Sequence, residues 1–227
     1  MQALRHNTLR YTPWFLFVAV LVIPLALWLE LYNWQPVFTP LALFPLLGVW
    51  AWSIMWTHYI LGALTVRYPD KLKTNHIYGS VSGWLVLLLI LLHPGLLAYE
   101  QKNSLGLLPP ESFNAYAAPS MELFITLGFI GLVLFLSYEI FDRLRHSKLL
   151  RAHWIWISLS QLLAMLLIFI HGINLGQSVL SGYGGVYWVM LGVTLVPALY
   201  IVVRNDWKEQ QQYRIDRMQA EDKSRNS

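Results

Sequence analysis

The sequence contains no cysteine. That excludes disulfides, thiolate zinc sites, iron–sulfur clusters, a catalytic thiol and the Cys-x-x-Cys-His attachment of a c-type haem. Charge is scarce too: Asp, Glu, Lys and Arg make up 12% of the 227 residues, against roughly 25% in a soluble domain. So few charges cannot cover the surface of a chain that is 56% hydrophobic, and the apolar excess must face lipid. A dinucleotide-binding fingerprint is missing as well: no Gly-x-Gly-x-x-Gly occurs, and Gly182-Tyr-Gly184-Gly185 follows no strand. What is plentiful is aromatic, with 11 Trp, 12 Tyr and 10 Phe.

A membrane-spanning helix needs about 20 mostly apolar residues. Six stretches qualify, at 14–31, 38–66, 77–99, 121–141, 154–175 and 183–203. They predict an all-α membrane protein, a six-transmembrane-helix bundle over residues 1–203 followed by a polar tail at 204–227 that prolongs the sixth helix before fraying. The first stretch ends in Leu29-Glu30-Leu31-Tyr32, with no small-residue cleavage site, so it reads as a retained span and not a signal peptide. Of the 16 basic residues, all but Lys102 fall before the first span, between the second and third, between the fourth and fifth, or after the sixth. Lys and Arg are retained on the cytoplasmic side, which predicts cytoplasmic termini in a bacterial-type plasma (inner) membrane. The net charge of +4 then reports topology, and no nucleic-acid partner is needed. Trp14, Trp28, Trp34, Trp50, Trp52, Trp56, Trp154, Trp156, Trp188 and Trp207 fall mostly near predicted span ends, where indoles favour the headgroup region. Trp84 and Trp154 are expected to serve packing or belt before electron relay.

Ionisable groups inside a span mark function by default. His6 and His146 belong to basic cytoplasmic segments and read as surface residues. His93 and His171 each lie deep in an otherwise apolar stretch, on the third and fifth spans. Both spans begin with a histidine: His76 precedes His93 by 17 residues and His153 precedes His171 by 18. At about 1.5 Å per residue the two intervals agree to within one step. If the inner pair is level, the other pair is level too. Two imidazoles facing each other at equal depth are what a bis-histidine haem requires. Gly83, Gly95, Ala164 and Gly172 are the small residues available to let a flat ring approach backbone. Eighteen residues make five turns, which places His153 and His171 on one face. His76 is rotated by about 100° from His93 and fits less well. His58, on the second span, reads as a packing histidine that bonds a neighbouring helix. Arg67, Lys73 and Arg151 flank the inner histidines, where they could pair haem propionates or simply follow positive-inside placement.

At His76-Ile-Tyr-Gly79, the run to Leu92-His93-Pro94, and Arg151-Ala-His153-Trp with the run to Ile170-His171-Gly172, the sequence resembles the ferric-reductase-like transmembrane family. That family comprises the haem-binding membrane cores of ferric reductases, of NADPH oxidases and of the haem subunit serving periplasmic methionine-sulfoxide reductase. The resemblance covers about residues 72–176 and implies b-type haem held by histidines of the third and fifth helices, with electrons passed across the membrane. It implies His93 and His171 as axial ligands of the outer haem, and so as ligands of its iron, with His76 and His153 as candidate ligands of an inner one. In the family the two histidines of each helix usually stand about one turn closer together. The corresponding inner positions hold Gly79 or Ser80 and Ile157 or Ser158, none of which ligates iron. One haem or two therefore remain as expectations.

The combined reading is a b-type cytochrome carrying single electrons from a cytoplasmic-side or quinol donor to an acceptor at the outer face. It would be an oxidoreductase component in which the residues after Val203 are too few for a flavin or nicotinamide domain. Its expected partners are membrane lipid, a quinone and a separate donor or acceptor protein. Two other classes use the same residues: a haem-free metal or proton transporter, and a structural subunit whose histidines only pack. A copper site would favour Met or Cys ligands, and of the six methionines only Met55, Met165 and Met190 lie well inside spans.

Overall fold

The computed structural model describes residues 2–69, 72, 76–144, 147–176 and 179–225, with side chains from Tyr11 onward except those at 76, 148, 149, 221, 224 and 225. The described residues form helices and no strands. In chain order these are α1 (Gln2–Leu31), α2 (Pro40–Arg67), α3 (His76–Leu105), the short α4 (Glu111–Tyr116), a 3-10 turn (Pro119–Met121), α5 (Glu122–Arg143), the short α6 (Lys148–Ala152), α7 (Trp154–Leu175) and α8 (Tyr183–Arg225). Six are long and apolar enough to cross a membrane: α1, α2, α3, α5 with its leading turn, α7 and α8. Phe15, Val22, Leu88, Leu123, Val193 and Val196 are exposed on their outer surfaces, an apolar exterior that calls for lipid as solvent. The short α4 lies in the connection between α3 and α5.

Local chemistry sets the element ends. Thr39 caps α2 by accepting the backbone N–H of Ala42 at 3.3 Å, and Pro40 takes the first helical position, where its missing N–H is harmless. Ser147 caps α6 in the same way through Leu150 N–H. α6 and α7 meet at a break at His153, and Gln210 of α8 splints it: the Gln210 amide N–H donates to Ala152 O at 2.6 Å, while its carbonyl accepts from Ile155 N–H at 3.0 Å. The polar tail prolongs the sixth span, as expected. It continues α8 to Arg225, because its first turns dock on this junction.

α2 is the central helix. Of its apolar window 56% is buried, against 11% for α5. It packs chiefly along α3, and α5 packs chiefly along α7, while α8 leans on α2 and α7. The tryptophan expectation needs correction here. Trp28, Trp52 and Trp188 are not belt residues; they are 1–2% exposed and belong to the main core. An indole N–H inside an apolar bundle must find an acceptor. Trp28 donates to Ala42 O, Trp52 to Met165 O and Trp188 to Phe169 O. Trp34, Trp84, Trp156 and Trp207 are exposed as expected, and Arg143 lies 4.7 Å over the Trp84 ring.

Candidate functional site

Between the α2–α3 pair and the α5–α7 pair lies a cavity of about 330 Å³, lined almost wholly by apolar side chains. His93 of α3 and His171 of α7 both face it, and their ring centroids stand 6.4 Å apart with planes at 86°. The matched depth read from the sequence is thus realised as a facing pair. α3 and α7 are not themselves among the extensively packed helix pairs, so the histidines meet across a gap.

Each imidazole is tied to a different neighbouring helix. His93 Nδ1–H donates to the Phe44 carbonyl of α2 at 2.6 Å, and His171 Nδ1–H donates to the Phe124 carbonyl of α5 at 2.8 Å. A carbonyl only accepts, so Nδ1 carries the proton in both rings and each neutral imidazole keeps its lone pair on Nε2. Neither Nε2 has a hydrogen-bond partner among the described residues. This is the arrangement of metal-ligating histidines, whose other nitrogen is bonded to a carbonyl that orients the ring and raises its basicity.

The separation can be checked against coordination geometry. A transition metal sits about 2 Å from an imidazole nitrogen, which lies about 1.1 Å from its ring centroid, so two rings on opposite sides of one metal ion have centroids about 6.2 Å apart. The observed 6.4 Å is close to that separation. Two glycines make room for the rings. A Cβ on Gly48 would stand 2.8 Å from His93 Cε1, and a Cβ on Gly128 would overlap His171 Nδ1. These cradles, the free Nε2 atoms and the dry lining fit a haem.

Other small residues do not play the part expected of them. Gly83 and Gly95 have open space around them and line no slot, because they lie off the cavity face of α3. Ala164 is fully buried in the core. Gly172 does line the cavity, where a Cβ would meet Trp188 at 2.5 Å. Gly48 and Gly128 were missed, although a signal existed: Phe-x-x-Leu-Gly occurs at 44–48 and again at 124–128, and nowhere else.

Aromatic rings contribute to the cavity lining. Trp52, Trp188 and Phe169 pack together, with Trp52 and Trp188 centroids 4.4 Å apart and the Phe169 and Trp188 planes within 5°. Toward α4, Phe44 lies 5.4 Å from the His93 ring and Tyr116 stands edge-on to Phe44 at 5.0 Å. Burial, with Tyr32 nearby, pushes the Tyr116 phenol above its ordinary range.

The remaining histidines are elsewhere. His153 is exposed at the α6–α7 break, and the side chain of His76, which opens α3, lies outside the described residues, as do those of His6, His146 and Lys73. His58 joins α2 to α3: its Nε2–H donates to Ser82 Oγ at 2.7 Å, and the Ser82 hydroxyl donates onward to Tyr78 O at 2.6 Å. Arg151 rests 5.4 Å over Tyr213, and Arg67 over its neighbour Tyr68. Ser158, at a position considered for an inner ligand, donates to Asp206 Oδ2 at 2.5 Å. Among the described residues no cluster of three or more His, Asp or Glu forms a candidate metal site. Comparison with protein-family models, with curated protein sequences and with solved structures finds no match to this chain.

Proposed function

We propose that this chain is a membrane b-type cytochrome that passes single electrons through haem held between His93 and His171. The observation that carries the reading is the facing pair itself: two Nε2 lone pairs, both Nδ1 atoms anchored on carbonyls, and a centroid separation of 6.4 Å in an apolar gap between helix pairs. A bound haem would supply a one-electron couple there. The Phe44 and Phe124 carbonyls hold the tautomer and strengthen both imidazoles as ligands. The apolar lining excludes water and disfavours added charge, which tunes the potential. Trp52, Trp188, Phe44 and Tyr116 add aromatic surface to that lining.

In this reading the termini face the cytoplasm of a bacterial-type inner membrane, and the α4 face is the outer one. A cytoplasmic-side protein or quinol is the donor, and the acceptor works at the outer face. Residues 204–225 continue α8 and form no flavin-binding module. The chain is read as akin to the ferric-reductase-like membrane cores.

The test is a haem-to-protein ratio by pyridine haemochrome on detergent-purified protein expressed with haem supply, with a dithionite-reduced minus oxidised spectrum. A ratio of about one assigns the His93–His171 site alone; about two brings in His76 and His153. Folded protein without haem, or haem retained in both His93→Ala and His171→Ala, overturns the reading and leaves a haem-free transporter or a structural subunit.

A further inference from the structure

The site is assembled from two equivalent halves. In one, α2 supplies the Phe44 carbonyl and, one turn on, Gly48, and the His93 ring of α3 lies against both. In the other, α5 supplies the Phe124 carbonyl and Gly128, and the His171 ring of α7 lies against both. Both carbonyl–glycine pairs sit in a Phe-x-x-Leu-Gly sequence, Phe-Pro-Leu-Leu-Gly and Phe-Ile-Thr-Leu-Gly. An imidazole ring has two torsions. The hydrogen bond fixes where one edge points, and the glycine backbone against the ring leaves no room to swing about it. Each plane is therefore set within its own helix pair, and the 86° between them is set by how the two pairs pack.

We infer that the two Phe-x-x-Leu-Gly segments lock the imidazoles of His93 and His171 with their planes perpendicular, so that a haem bound between them would receive its two imidazoles in that orientation. The inference rests on the haem reading. Its consequence is electronic. An imidazole raises the iron d orbital that overlaps its π system. Parallel rings raise the same orbital twice and split the pair widely; perpendicular rings raise both orbitals equally and leave them nearly degenerate. The unpaired electron of the ferric state is then not confined to one direction in the haem plane.

The experiment is electron paramagnetic resonance on the oxidised holoprotein in frozen detergent solution. Near-degenerate orbitals predict a highly anisotropic low-spin signal, with one large g value and the other two features too broad to resolve. A rhombic spectrum with three resolved g values, of the kind parallel imidazoles give, overturns the inference while leaving the haem reading intact. Absence of haem overturns both. Where two haems are bound, the signal read is the one lost in His93→Ala. The glycines are tested separately: Gly48→Ala and Gly128→Ala should lower the largest g value or remove the bis-histidine signal, and Gly83→Ala and Gly95→Ala should change neither. A largest g value that stays put in both Gly48→Ala and Gly128→Ala overturns the role of the glycines in the lock.

Discussion

His93 and His171 face each other across the gap between two helix pairs, 6.4 Å between centroids and 86° between planes, although neither belongs to the helix that anchors it. Each ring is held by a carbonyl of the partner helix in its pair. The geometry of the site is therefore a property of α2–α3 and α5–α7 packing.

Removing either ligand leaves one imidazole, which cannot complete the pair. His93→Ala and His171→Ala should each lower the haem-to-protein ratio by about one relative to the parent, as read by pyridine haemochrome. Loss of haem from only one of the two variants would argue that the other histidine packs without ligating.

His58 is expected to behave differently. Its bond to Ser82 is an ordinary tie between α2 and α3, worth about 1 kcal/mol within a membrane bundle. His58→Ala should therefore lower the thermal midpoint in detergent modestly and leave the haem ratio and spectrum unchanged. A spectral shift in that variant would bring His58 into the site.

Gln210 splints the α6–α7 break from α8 and is 4% exposed. Gln210→Ala leaves a buried N–H at Ile155 and the Ala152 carbonyl without their partner, at a cost of about 1–3 kcal/mol for an orphaned group. Gln210→Glu keeps the acceptor but buries a carboxylate whose second oxygen faces the Ala152 carbonyl, so its loss of stability at neutral pH should be at least as large as that of Gln210→Ala. Denaturant or thermal unfolding of the two variants ranks them.

Gly172→Ala would set a methyl group 2.5 Å from Trp188 Cζ2. Trp188 is 2% exposed, so the indole has little room to retreat except into the cavity that it lines. Haem occupancy should fall by several-fold while the helical circular dichroism is kept. Full occupancy would mean that the Trp188 wall can yield outward.

The helices were legible because lipid imposes a length and a composition on whatever crosses it. All six predicted stretches reappear as helices, with the largest differences at ends where polar residues prolong a helix: α1 starts at Gln2 and α8 runs to Arg225. His93 and His171 were legible because an ionisable group in an apolar run stands out and because their distances from His76 and His153 match. The anchoring partners were not, since a backbone carbonyl has no residue type to announce it. Phe44 and Phe124 lie 49 and 47 residues from the histidines that they hold. Glycine choice failed for a related reason: Gly83 and Gly95 are as small as Gly48 and Gly128, and only the rotation of a helix decides which of them meets a ring.

The sequence by itself determined that this chain is a six-span membrane bundle with two histidines at comparable depth, because hydropathy and helical rise are local properties that survive without a fold. Tertiary structure alone decided that α2 pairs with α3 and α5 with α7, that both rings are anchored through Nδ1, and that their planes cross at a right angle. Those depend on helix rotation and crossing, which are set by side-chain packing between segments far apart in the chain. No run of residues carries that information alone.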